Sequence, residues 1–114
     1  MQDTKGRAIM TEAAILERIT RTIVDHFHPE RVVLFGSRAR GDADAESDFD
    51  LLVEMDSAKR PPERAIEVSA VFGLHEWPMD IFVYTPQEME RHKKIRGTLA
   101  SIVEAEGAVL YERS

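Results

Sequence analysis

The sequence predicts a small domain of the α/β (α+β) class, a mixed β-sheet with helices packed on it. Three observations predict it. Apolar residues recur at helical spacing in residues 11–27. Three short apolar runs, at residues 31–35, 48–54 and 79–84, have the length and alternation of strands. Helix signals alternate with those runs, and no repeat or second domain is visible.

Residues 1–10 read as a flexible N-terminus and residues 11–114 as one domain. In the first helical stretch Ile15, Ile19, Ile23 and Phe27 form one stripe. Thr11 is its predicted N-cap, and His28-Pro29 ends it. Val32, Val33, Leu34 and Phe35 then make a nearly continuous apolar strand, of the kind buried on both faces. Gly36-Ser37 punctuates its end, and Gly41 to Ser47 is an acidic, turn-prone loop. In the next strand Phe49, Leu51 and Val53 face one way, and Asp48, Asp50 and Leu52 the other. Pro61-Pro62 opens a helix predicted to run to about Leu74, with Ile66, Val68, Val71 and Phe72 available for burial. In the third strand Met79, Ile81 and Val83 oppose Asp80, Phe82 and Tyr84. Thr85-Pro86-Gln87-Glu88 is a capping box with proline at the first helical position. The helix after it extends to about Glu106, with a break near Gly97. Gly107 is the predicted C-cap, and Ala108 to Tyr111 a short last strand.

Composition excludes several classes. Hydrophobic residues make up 43% and charged residues 32%, an ordinary globular balance. The absence of cysteine excludes disulfides and thiolate metal sites. No apolar run approaches the roughly 18 to 20 residues that span a bilayer, and residues 1–10 lack a signal-peptide core. The expectation is a cytoplasmic protein with no membrane contact. A net charge of -6 argues against broad nucleic-acid binding, though a metal can reverse the field of an acidic pocket.

The chemistry gathers on a few residues. Asp48 and Asp50 project from one strand face, roughly 7 Å apart. Two bare carboxylates there repel unless a cation or a proton lies between them. Asp80 sits on the less apolar face of another strand and completes a three-carboxylate site if the two strands are neighbours. Gly36-Ser37 suits a phosphate: glycine admits close backbone approach, serine adds a hydroxyl, and a helical turn at Ser37 to Arg40 would aim its N-terminus at the anion. Arg38 and Arg40 can add charge-assisted bonds to phosphate oxygens. Each feature alone is commonplace; surface aspartates, glycine-serine turns and solvated arginines occur in most proteins. Together they are far less common. An EF-hand reading of the acidic run fails, since Ser47 and Val53 fall where glycine and glutamate are required. The four histidines lack zinc-site spacing. Trp77 before Pro78 reads as packing, and the basic run Arg91-His92-Lys93-Lys94 as a solvated helix face.

The string GSRARGDADAESDFDLLVE, with Gly-Ser, ten intervening residues and Asp-x-Asp, resembles the minimal nucleotidyltransferases of the DNA polymerase β-type superfamily. PMDIFVYT and EAEGAVLYE are similar to the family's later stretches. The resemblance implies a polymerase β-like fold and ATP bound through its triphosphate at Gly36 and Ser37, with Arg38 and Arg40 nearby. It implies two Mg²⁺ ions held by Asp48, Asp50 and Asp80, which are also the catalytic residues. Asp80 would position and deprotonate the attacking hydroxyl. Many short members are antitoxins paired with a HEPN-type ribonuclease toxin, onto a tyrosine of which they transfer AMP. The resemblance therefore implies a type VII antitoxin whose partners are that toxin and a nucleoside triphosphate. The alternatives are an enzyme acting on a small-molecule acceptor with a partner chain, and a binding module that neutralises a toxin by contact alone.

Overall fold

The computed structural model describes residues 10–73 and 77–114. Helix α1 (Glu12–Phe27) begins where Thr11 Oγ1 accepts the Ala14 N–H at 3.1 Å. It ends at His28, whose left-handed φ of 50° turns its N–H back to the Val24 carbonyl. Ile19 and Ile23 are buried, and Ile15 and Phe27 flank them, so the expected stripe is the one that packs.

Strand β1 (Arg31–Phe35) is followed by a single helical turn, α2 (Ser37–Arg40), then by strand β2 (Phe49–Glu54). Helix α3 (Pro61–Ala70) leads to strand β3 (Met79–Tyr84). Helices α4 (Pro86–His92) and α5 (Leu99–Glu106) precede strand β4 (Ala108–Glu112). The break between α4 and α5 falls at Gly97, with φ 87°. Gly107 does cap α5, but with an ordinary φ of -72°. Glycine is needed there for space: a Cβ would meet the Val103 carbonyl oxygen and Val33 Cγ1, each at 2.5 Å.

The sheet order is β3-β2-β1-β4. β1 pairs antiparallel with both β2 and β4, while β2 and β3 are parallel, as the α3 crossover requires. The mixed sheet is therefore confirmed. Its two faces bury separate clusters. Val32, Leu34, Phe49, Leu51, Val53, Ile81 and Val83 pack beneath α1 and α3, against Ile19, Ile23 and Val68. Val33, Phe35 and Leu52 pack beneath α4 and α5, against Met89, Ala100 and Val103.

Two sequence expectations need correction. Helix α3 stops at Ala70, with a turn at Val71 and Phe72; the expected end near Leu74 lies outside the described residues, as does the N-terminal segment before Met10. Ile66 is 69% exposed rather than buried. Two residues along a helix turn through about 200°, so Ile66 cannot share a face with buried Val68. The position one turn before Val68 is Arg64, and it is the arginine that is buried. Its guanidinium donates to the Lys59 carbonyl at 2.7 Å and to Glu88 Oε1 at 2.7 Å, which makes the burial tolerable. Glu88 also closes the predicted capping box, accepting from the Thr85 N–H at 2.8 Å.

Candidate active site

Strand register assembles the site. Phe35 lies opposite Asp50, and Asp50 lies opposite Asp80. Paired residues share a sheet face, so Phe35, Asp50 and Asp80 form one row across three strands. The next row is Val33, Leu52 and Phe82. The face that carries the carboxylates thus continues directly into the core beneath α4 and α5. Asp48 stands one residue before β2, exposed, at the mouth of the acidic loop.

Gly36 closes the other side. Its φ of 76° suits glycine alone, and a Cβ there would overlap the Asp50 carboxylate, with Cγ only 3.1 Å away. The turn and the aspartate are packed against each other, backbone to side chain. The Gly36 carbonyl accepts from the N–H groups of Ala39 and Arg40 at 3.1 and 3.0 Å, which sets Gly36 as the N-cap of α2. The first N–H groups of such a turn have no acceptor within it. Ser37 is the first residue of that turn.

Burial raises the Asp50 pKa, and the nearby carboxylates of Asp80 and Asp48 raise it further, while Arg40 opposes them. Asp50 therefore meets the repulsion of both other carboxylates. Among the described residues no three acidic or histidine side chains already stand close enough together to hold a metal ion. The donor chemistry does fit a hard divalent cation: three carboxylates, whose mutual repulsion such an ion would offset, and no nitrogen or sulfur competitor among them.

The two arginines separate. Arg40 is half exposed, paired with Asp42 at 3.3 Å and with Glu106 at 3.2 Å, and its charge reaches Asp50. Arg38, expected at the phosphate, is turned elsewhere. Its side chain is 10% exposed and lies under the acidic loop, bonded to the loop carbonyls and to Glu12 of α1. Nothing in local sequence announces Glu12, which precedes Arg38 by 26 residues. Phe82 was placed on the correct face by alternation, but its contact with Phe35, ring centroids 5.9 Å apart, depends on pairing across β2.

A glycine-serine turn thus packs on a strand aspartate, with a second aspartate paired beside it and a third just before the strand. The chain belongs to the nucleotidyltransferase domain family, whose model matches residues 16–111. It is similar to the crystal structure of a Sulfolobus solfataricus protein described as a "putative nucleotidyltransferase", with 25% identity and a TM-score of 0.62. That likeness covers 87% of this chain and 79% of the other. No curated protein matches the sequence.

Proposed function

We propose that the protein transfers AMP from ATP to a hydroxyl group of a partner protein, with Mg²⁺ bound by Asp48, Asp50 and Asp80. The observation that carries this reading is the Asp50–Asp80 register beside Gly36. Across the sheet the order is phosphate turn on β1, carboxylates on β2, and Asp80 on the edge strand β3. The triphosphate then lies at Gly36-Ser37, with Arg40 free to exchange Glu106 for a phosphate oxygen. The acceptor approaches from the β3 side, where Asp80 is exposed and Phe82 is 38% exposed.

The acceptor oxygen attacks the α-phosphorus, its proton passes to Asp80, and the bond to the β-phosphate oxygen breaks, releasing pyrophosphate. Bound Mg²⁺ supplies neutralisation of the charge that develops on the phosphates. The chain's own contribution is positioning: register holds Asp80 beside Asp50, and Gly36 lets the backbone approach the triphosphate. The family resemblance supports the narrower reading of an antitoxin that modifies a tyrosine of a HEPN-type toxin.

The test uses proteins that co-purify with the chain. With Mg²⁺ and ATP labelled on the α-phosphate, one of them should become labelled; label on the γ-phosphate should not transfer. Asp48→Asn, Asp50→Asn and Asp80→Asn should each lower transfer by about 100-fold or more while the variants remain folded. Chelation by EDTA should do the same. Absence of α-label on every co-purifying protein would refute the protein acceptor. Labelling of a small alcohol or amine instead would move the acceptor to that class.

A further inference from the structure

Arg38 is the most thoroughly engaged charged side chain near the site. Its Nε donates to the Ser47 carbonyl at 3.1 Å, and Nη2 donates to the same oxygen at 2.9 Å. Nη2 also reaches the carbonyls of Asp44 and Ala45 at 3.3 and 3.4 Å. Nη1 donates to Glu12 Oε1 at 2.7 Å. The guanidinium lies over the Phe49 ring, 4.1 Å from its centroid. Every nitrogen of the group already has an acceptor, and its plane is covered on one side by an aromatic face.

The contacts converge on one residue. Ser47 precedes Asp48 and Phe49 follows it. Arg38 grips the carbonyl of the first and the ring of the second, so Asp48 is held from both flanks. The loop itself is folded by Asp44 and Ser47: Ser47 Oγ accepts the Asp44 N–H at 3.0 Å, and Asp44 Oδ1 accepts the Glu46 N–H at 2.9 Å. Among the described residues, the bonds of Asp44, Glu46 and Ser47 to one another run within the turn. Arg38 adds an attachment outside it, and Glu12 ties the arginine in turn to α1.

We propose that Arg38 is a positioning residue for Asp48, holding that carboxylate over the site from beneath the loop, and that it is not a ligand of the triphosphate. This rests on the reading of Asp48, Asp50 and Asp80 as metal ligands. Lysine cannot replace the planar fork, because one ammonium cannot span Ser47, Asp44 and Glu12 while stacking on Phe49. Residues that orient metal ligands commonly change metal affinity by about 10- to 100-fold when replaced.

The experiment compares wild type, Arg38→Gln and Arg38→Lys by amide NMR during Mn²⁺ titration, and by ATP binding in EDTA. Wild type should lose the signals of Asp48, Asp50 and Asp80 together. In Arg38→Gln all three signals should require about 10-fold more Mn²⁺, and the amides of residues 42–48 should exchange with solvent faster than in wild type while those of β3 do not. A general loss of stability would speed exchange in β3 as well. ATP affinity in EDTA should stay within about 2-fold of wild type, since no phosphate contact is removed. Two results would overturn the proposal. One is a fall of about 10-fold or more in that affinity, which marks a lost phosphate ligand. The other is unchanged exchange of residues 42–48 in the variant. If Arg38→Gln does not fold, Arg38→Lys is read by the same criteria. If Mn²⁺ broadens none of the three signals in wild type, the metal reading fails by itself. Hydrogen exchange of residues 42–48 then decides for Arg38: faster exchange in the variant upholds its hold on the loop, and unchanged exchange refutes it.

Discussion

Asp50 is held in a conflict that its neighbours create. Burial and the charges of Asp80 and Asp48 raise its pKa, with Arg40 only partly compensating. A carboxyl whose folded pKa lies above its unfolded value binds its proton more tightly in the folded state. Stability then falls as pH rises from the unfolded pKa through the folded one, and the loss is complete above both. Asp50→Asn should therefore melt at a higher temperature than wild type at neutral pH in EDTA, by a few degrees, while losing transfer activity. A lower melting temperature would show that the carboxylate stabilises the fold, against this account. The sequence made the Asp48–Asp50 pair visible through period-two alternation. It could not show that Asp50 packs on Gly36, because that contact crosses from β2 to the end of β1. Nor could it show where Arg38 points. An arginine after Gly-Ser satisfies a phosphate or a loop equally well until the loop's carbonyls have positions.

Whole elements were more legible than single contacts, because their signals are local. The Thr85–Glu88 capping box, the Thr11 cap and the break at Gly97 were readable from a few adjacent residues and formed as expected. Helix α3 shows the limit. Its apolar residues suggested a face containing Ile66, but helical geometry selects the face of Arg64 and Val68, and the arginine is accommodated by Glu88 of α4. Burial pushes the Glu88 pKa up, but the Arg64 hydrogen bond and the Thr85 backbone N–H outweigh it and bring it below the usual range. A depressed carboxylate contributes stability that is present above the unfolded pKa and is lost as pH falls through the folded one. Glu88→Gln should thus be less stable than wild type at neutral pH, and the gap should narrow as pH falls from about 5 toward 3. Thermal melts across that range would show it. A constant gap would mean that the capping bond alone, rather than charge on Glu88, stabilises α4.

At the scale of the molecule, the sheet separates two tasks. One face is closed by α1 and α3 and serves the core; the other is closed by α4 and α5 over Val33, Phe35 and Leu52, leaving Asp50 half-buried and Asp48 and Asp80 exposed. The chain order predicted the layers, but the pairing of β2 with β3 was a condition, and only the sheet order meets it. Acidic groups held together and only half-buried imply that ligand binding adds to stability rather than merely filling space. Mg²⁺ with a non-hydrolysable ATP analogue should raise the melting temperature, the equivalent of about 2.7 kcal/mol at a hundredfold excess over Kd. Asp50→Asn should abolish most of that increment. Equal increments in the two proteins would place the ligand away from these groups.

The parallel register of Asp50 with Asp80 has a consequence for quality control. A slip of β3 by one residue would turn Asp80 toward the layer of α1 and α3 and bring Ile81 out beside Asp50. The same error that erases the site would bury a charge in the larger core. Misassembled copies are thus dead and unstable at once, so a cell's proteases would clear the molecules that cannot work, and every surviving copy would carry an aligned pair of aspartates.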